Sequence, residues 1–208
     1  MQPVEVFADI WCPFAHAGLR AVVAHRDRLG RADVPLVVRA WPLELINGAP
    51  QDPEEVTAHV ADLQEQVAPD LFVGFDAARL PRTTIPALSL AAAAYRHNAV
   101  VGERVSLALR DALWEQGRDV SDPAVLHEVG AAHGVSGWAP EDERSVGEDW
   151  ALGQAREVQG SPHFFCGDAE SFCPSLDIDD LGDGHVRVRH DASALDAFLS
   201  SCLTPASP

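Results

Sequence analysis

Residues 53–159 carry almost no strand-like run, yet strand-like segments stand on both sides of them. A chain of that order must assemble a sheet from pieces distant in sequence and house about a hundred helical residues beside it. Ahead of the block, PVEVFADI (3–10) alternates and is rich in Val, Phe and Ile, which predicts a strand. PFAHAGLRAVVAHRDRL (13–29) spaces Phe14, Leu19, Val22, Val23 and Leu29 helically, with Pro13 suited to a first turn and Gly30 to a stop. VPLVVRAW (34–41) predicts a second strand, parallel to the first in a βαβ unit. Inside the block, PEEVTAHVADLQEQV, IPALSLAAAAYRHNAV, GERVSLALRDALWEQG, DPAVLHEVGAAHG and PEDERSVGEDWALGQAREV all read as helices. Beyond it, HFFCG and SFCPSL read as strands joined by a GDAE turn. HVRVRH (185–190) either extends the sheet or forms an edge segment. ASALDAFLSSCL closes the chain as a helix capped by Asp191 or Ser193, and the tail TPASP is expected to fray. The predicted class is α/β. Residues 1–45 and 160–203 make one discontinuous domain, and residues 53–150 an all-helical insertion.

With 208 residues, 47% hydrophobic and 23% charged, the chain can bury a real core. No apolar run approaches the roughly 18–20 residues that cross a bilayer. The start, MQPVEVFADI, shows no basic segment followed by a long apolar one, so a cytoplasmic protein is expected. The net charge of −17 repels nucleic acid and anionic lipid, so neither is expected as a partner. All 15 basic residues are arginine, which leaves no lysine for a Schiff base. Cys12, Cys166, Cys173 and Cys202 are too sparse for a secreted disulfide scaffold and match no zinc spacing, so no metal is expected.

In DIWCPFAHAG (9–18), Cys12 sits where a strand hands over to a helix. Unpaired amides and the macrodipole at a helix start stabilise a thiolate and can lower a thiol pKa from about 8.5 to about 3.5–7. Cys12 is therefore the candidate nucleophile, with Pro13 at the first turn. His16, four residues on, either ion-pairs with the thiolate or merely rims the cleft. Asp9 is either a buried acid that shuttles a proton or a loop-bonding residue. Trp11 and Phe14 are expected to wall the site, and Trp41 and Pro42 to line it from the end of the second strand. In QGSPHFF (159–165), Ser161–Pro162 immediately precedes a strand, and a cis peptide is one solution there. His163 beside it is the histidine to watch. Cys166 and Cys173 would be diagonal neighbours, roughly 7–8 Å apart, across the hairpin, and packing is the favoured role for both. Cys202 is read as structural.

DIWCPFAHAG, the helical block with DALWEQGRDVSDPAVLHEVGAAHGV, and VQGSPHFF together resemble the DsbA-like branch of the thioredoxin superfamily. The nearest look-alikes are FrnE-type oxidoreductases and the group of 2-hydroxychromene-2-carboxylate isomerase and kappa-class glutathione transferase. The resemblance implies a thioredoxin-like fold with a helical insertion, Cys12 as nucleophile and Ser161–Pro162 as a substrate-clamping cis-proline loop. It also departs from both groups. The oxidoreductases carry a second cysteine where this chain has Ala15, and the isomerase and transferase group usually has serine at the position of Cys12. A dithiol enzyme frees itself from a mixed disulfide through its second thiolate, which Ala15 cannot supply. The implied activity is a thiol-disulfide oxidoreductase acting through Cys12 on small thiols, disulfides or protein disulfides. An external low-molecular-weight thiol, glutathione or mycothiol, would resolve the adduct, with no tightly bound cofactor and either a monomer or a homodimer. The alternatives are a thiol-dependent isomerase or transferase and a non-catalytic binding module.

Overall fold

In the computed structural model, which describes residues 3–203, β1 (Val4–Ala8), α1 (Pro13–Arg28) and β2 (Leu36–Ala40) form the parallel βαβ unit. The tail TPASP lies outside the described residues. β3 (His163–Cys166) returns antiparallel to β1, and β4 (Ala169–Phe172) pairs with β3, giving the sheet order β2-β1-β3-β4. The β3–β4 turn is shorter than the sequence suggests. Cys166 pairs with Ala169, so only Gly167 and Asp168 turn, and Gly167 has the φ of +60° that a two-residue hairpin demands.

The intervening chain is helical: α2 (Leu43–Asn47), α3 (Pro53–Gln66), α4 (Ile85–His97), α5 (Ala99–Trp114), α6 (Pro123–Ala132) and α7 (Pro140–Ala155). Asp52 and Asp122 cap α3 and α6 through their side chains. Asn98 divides α4 from α5. Its backbone is extended and its side chain accepts the Val101 N–H, so residues 99 and 100, read with the first helix, begin the second. The two helices meet closely at Gly102, where a Cβ would fall 2.1 Å from the Tyr95 ring.

The helical block closes the sheet at the outer edge of β2. Each outward backbone group there needs a partner, and no further strand follows. The Leu36 N–H donates to Glu103 at 2.9 Å. The Tyr95 hydroxyl donates to the Leu36 carbonyl at 3.0 Å and accepts the Val38 N–H at 2.8 Å. Asp149 accepts the Ala40 N–H at 3.0 Å. Side chains of α4, α5 and α7 thus take the place of a fifth strand.

The segment after β4 departs from the sequence reading. SFCPSL is not one strand: it ends β4, turns at Cys173, where φ is +47°, and begins β5 (Leu176–Asp180). HVRVRH supplies β6 (Val186–His190), which pairs only with β5 in a separate two-stranded ribbon. α3 covers the edge of β6 by the same device seen at β2. Asp62 accepts the Val186 N–H at 2.8 Å, and the Gln66 amide accepts from Val188 at 2.9 Å and donates to the Val186 carbonyl at 3.0 Å. α8 (Ala192–Leu203) is capped by Asp191, which accepts the Ala194 N–H at 2.8 Å, and buries Leu195, Phe198, Leu199 and Leu203. Among the described residues no helix is long and apolar enough to cross a membrane.

Tyr95→Phe removes only the hydroxyl and strands two buried backbone groups. Its expected cost is about 1–3 kcal/mol in urea unfolding at unchanged m. A loss below about 0.3 kcal/mol would mean that water or a neighbour replaces the hydroxyl.

Candidate active site

β1 delivers Asp9, Ile10 and Trp11 into full burial before α1 begins. The helical block holds this junction from outside. Trp114 donates to the Ile10 carbonyl at 3.0 Å. Trp11 donates to the Pro81 carbonyl at 2.9 Å. The Arg110 guanidinium bonds the Ser106 carbonyl and hydroxyl at 2.9 and 2.8 Å and reaches the Ala8 carbonyl at 3.5 Å. Trp11 is therefore an anchor rather than a wall of an open cleft.

Cys12 is the N-cap residue of α1, with Pro13 in the first turn. Its Sγ accepts the Ala15 N–H at 3.3 Å, and its S–H donates to the Ser161 carbonyl at 2.9 Å. The Ser161–Pro162 peptide is cis. Ser161 is fixed further by its hydroxyl, which accepts the Asp9 N–H at 3.0 Å, and Pro162 by its carbonyl, which accepts the Cys173 N–H at 3.0 Å. α1 lies against this loop at Gly18, where a Cβ would make ordinary contacts, 3.4 Å from the Ser175 hydroxyl and 3.5 Å from the Pro162 ring. Cys12, Asp9, Ser161 and Pro162 come together as one constellation.

The thiol differs from the sequence expectation. Cys12 is only 4% exposed, and burial pushes its pKa up to about 11, with the Asp9 charge adding to the rise and the Ala15 amide opposing it. Desolvation outweighs the helix start, so the resting group is a protonated hydrogen-bond donor. Burial likewise raises Asp9, against hydrogen bonds from Leu43 at 2.5 Å and Trp11 at 3.3 Å. Arg110, 1% exposed, is lowered by burial to about 10 and stays charged at neutral pH. Asp9, Cys12 and Arg110 act on one another electrostatically.

Other expected site residues lie elsewhere. The His16 ring, in a residue 1% exposed, makes no hydrogen bond to the Cys12 sulfur; its Nε2 lies 2.6 Å from Glu115, whose carboxylate also accepts the Phe72 and Val73 amides. Burial lowers its pKa, so it ties α1 to α5 rather than serving as counter-ion to the thiolate. Trp41 stacks on Trp150 at 4.5 Å and packs edge-on against Phe7, in a cluster separate from that of Cys12. His163 alternates with Phe164 along β3, and its ring lies 4.4 Å from Phe165 on the same face as Phe7, while Phe164 shares the core with Cys12. Phe14 is half-buried, its ring 5.3 Å from His59, and remains the accessible aromatic beside the cysteine. Cys166 and Cys173 are not diagonal neighbours, since Cys166 pairs with Ala169 and Cys173 bonds the proline loop. Sequence reading missed Arg110 and Ser175. The available signal for Arg110 was its place on the buried stripe of α5, four residues after Ser106 and eight after Gly102. Among the described residues no cluster of potential metal ligands occurs.

A family model described as the DSBA-like thioredoxin domain matches residues 3–184. No curated protein matches the chain in sequence. Several solved structures share its fold. The cytosolic disulfide reductase DsbM from Pseudomonas aeruginosa, solved with GSH, superposes with a TM-score of 0.65 at 13% identity, over 97% of this chain and 98% of its own. 2-Hydroxychromene-2-carboxylate isomerase gives 0.58 at 13% identity, over 81% and 87%. Reduced DsbA1 from Neisseria meningitidis gives 0.50 at 15% identity, over 96% and 83%. Likeness at these identities establishes the DsbA-like thioredoxin fold and leaves activity to the site.

With the other three cysteines replaced by serine, alkylation of Cys12 by iodoacetamide should quicken about tenfold per pH unit between pH 7 and 10. A plateau reached below pH 8 would show that the helix start, not burial, governs the thiol.

Proposed function

The chain belongs to the DSBA-like thioredoxin family, and from that premise we propose that it is a thiol-disulfide oxidoreductase working through Cys12 alone on disulfide or mixed-disulfide substrates. One observation carries the reading: the Cys12 sulfur faces the Ser161 carbonyl on one side, while on the other it accepts the amide of Ala15, where no second thiol stands. A substrate disulfide aligns along the Ser161–Pro162 loop in place of that contact. Cys12 loses its proton and attacks one substrate sulfur; a Cys12–substrate disulfide forms, the substrate S–S bond breaks, and the proton ends on the departing thiolate. Asp9 is the base in electrostatic reach, and burial keeps its carboxyl above the usual range, where it can hold that proton briefly. An external low-molecular-weight thiol, glutathione or mycothiol, then attacks the substrate sulfur; a small-thiol–substrate disulfide forms, the bond to Cys12 breaks, and the attacker's proton restores the Cys12 thiol. The fold shared with a cytosolic reductase supports a cytoplasmic setting for this chemistry.

The raised thiol supports a second reading, a thiol-dependent isomerase or transferase. There Cys12 stays protonated and donates its S–H to the sulfur of a bound glutathione-like thiol without forming a bond to it.

The triple variant Cys166→Ser, Cys173→Ser, Cys202→Ser should take up one glutathione from glutathione disulfide, and the further change Cys12→Ala should abolish this. Turnover coupled to glutathione reductase should fall at least about 100-fold in Cys12→Ala and in Cys12→Ser. Activity that persists in Cys12→Ser but not in Cys12→Ala selects the second reading, because a hydroxyl can donate but cannot form the disulfide. Asp9→Asn removes the base and also the charge that raises the Cys12 thiol, so adduct formation below pH 9 should slow while the alkylation profile of Cys12 moves to lower pH. An equal rate at every pH removes Asp9 from the proton path.

A further inference from the structure

Cys166 and Cys202 take no part in the chemistry assigned to Cys12, yet the packing of α8 on β3 brings them together. Leu195, Phe198, Leu199, Cys202 and Leu203 form one stripe of α8, turned to the core that holds Phe164 and Cys166. The register of that contact is set by Phe164 and Phe198, whose rings lie 6.0 Å apart. Two residues further along β3, on the same face, is Cys166; four residues further along α8, on the same face, is Cys202. The two steps nearly match, about 6.7 Å along a strand and about 6 Å along a helix. Phe164–Phe198 and Cys166–Cys202 are thus successive rungs between the same two elements, with Cys166 in the apolar cluster and Cys202 packed against it. Cys166 is 9% exposed while Cys202 is half-buried beside exposed Ser201, so reagents reach the pair through Cys202.

We propose that Cys166 and Cys202 are a second redox site, oxidised to an intramolecular disulfide by low-molecular-weight disulfides and returned to the dithiol by low-molecular-weight thiols. The Cys202 thiolate attacks the small disulfide, a mixed disulfide forms, and one small thiol departs. Cys166 then attacks the Cys202 sulfur, and the second small thiol departs with the electrons. The protein loses two hydrogens and the small disulfide gains them. Burial and the neighbouring Cys166 push the Cys202 thiol up to about 12, which makes the reaction slow and suits it to sustained oxidation rather than to turnover. The bridge would pin the last helix to β3 behind Phe164, which shares the Cys12 core. The inference does not depend on the chemistry of Cys12.

The test uses the full chain with Cys12→Ser and Cys173→Ser, so that neither other sulfur contributes. Prolonged incubation with glutathione disulfide at pH 8.5 should remove two hydrogens from the intact mass and join the tryptic peptides that contain Cys166 and Cys202. Dithiothreitol should reverse both changes. The bridged form should melt higher by on the order of 10 °C, because the link constrains the unfolded chain across residues 166–202. Adding Cys202→Ser should abolish the mass loss without preventing folding, as judged by circular dichroism. An unchanged mass, a glutathione adduct that persists on Cys202, a bridge that survives Cys202→Ser, or a bridged form that melts no higher than the dithiol would each overturn the proposal.

Discussion

The outer edge of β2 is the constraint on which the rest of the molecule depends. A four-stranded sheet ending there leaves a row of backbone donors and acceptors with no strand to meet them, and each costs of order 1–3 kcal/mol if buried unpaired. Glu103, Tyr95 and Asp149 meet them from three different helices. The helical block is therefore bonded to the sheet as an additional strand would be. α5 extends this hold to the site. Glu103 also pairs with the buried Arg26 of α1 through two hydrogen bonds, at 2.8 and 2.9 Å. Further along the same helix come Arg110 and Trp114, which reach the Ala8 and Ile10 carbonyls, and Glu115 at its C-cap reaches His16. One helix thus fixes the strand before the cysteine, the turn leading into it and the helix that carries it.

This support has a chemical consequence. A cysteine at a helix start in water would gain from the macrodipole by about 0.3–1 kcal/mol, and further from hydrogen bonds of the unpaired amides. Enclosing the same sulfur in an apolar cluster with Leu19 and Phe164, against the proline loop, removes the water that would solvate a thiolate, and that loss is larger. The identical backbone position therefore yields an acidic thiol in an open site and a reluctant one here. Ala15 completes the arrangement: its amide bonds the sulfur, and its methyl group offers no sulfur of its own.

The architecture was legible where periodicity and punctuation decide it. The βαβ unit, the long helical block and the terminal helix follow from the spacing of apolar residues and from Pro, Gly and Asp at element ends. The position of Cys12 at a helix start was readable for the same reason. Facing was not. Trp41 reads as a site residue because it ends the second strand and His163 because it follows Pro162, but Trp41 packs on Phe7 and strand alternation turns His163 to the same face. His16 lies on the side of α1 nearest the insertion, and only the docked α5 reveals Glu115 as its partner. The β5–β6 ribbon escaped notice because LDIDD is acidic. Its strand character comes from pairing with VRVRH and from Arg189, which bonds Asp177 and Asp179. Arg110 escaped notice because an arginine in a helix is ordinarily solvated, and nothing local shows that this one is sealed.

Beneath the sulfur, a carboxyl, a thiol and a guanidinium share one enclosure of low polarity, and each responds to the charge of the others. With Asp9 ionised, its charge is balanced by Arg110, and a second negative charge on Cys12 would exceed what one guanidinium offsets. With Asp9 protonated, a thiolate at Cys12 would instead be the sole anion facing Arg110. The charge of the carboxyl therefore opposes ionisation of the thiol, and the guanidinium feels both. Burial is the first cause of the shift at all three groups, and α5 contributes to it through Arg110 at the Ala8 carbonyl and Trp114 at the Ile10 carbonyl.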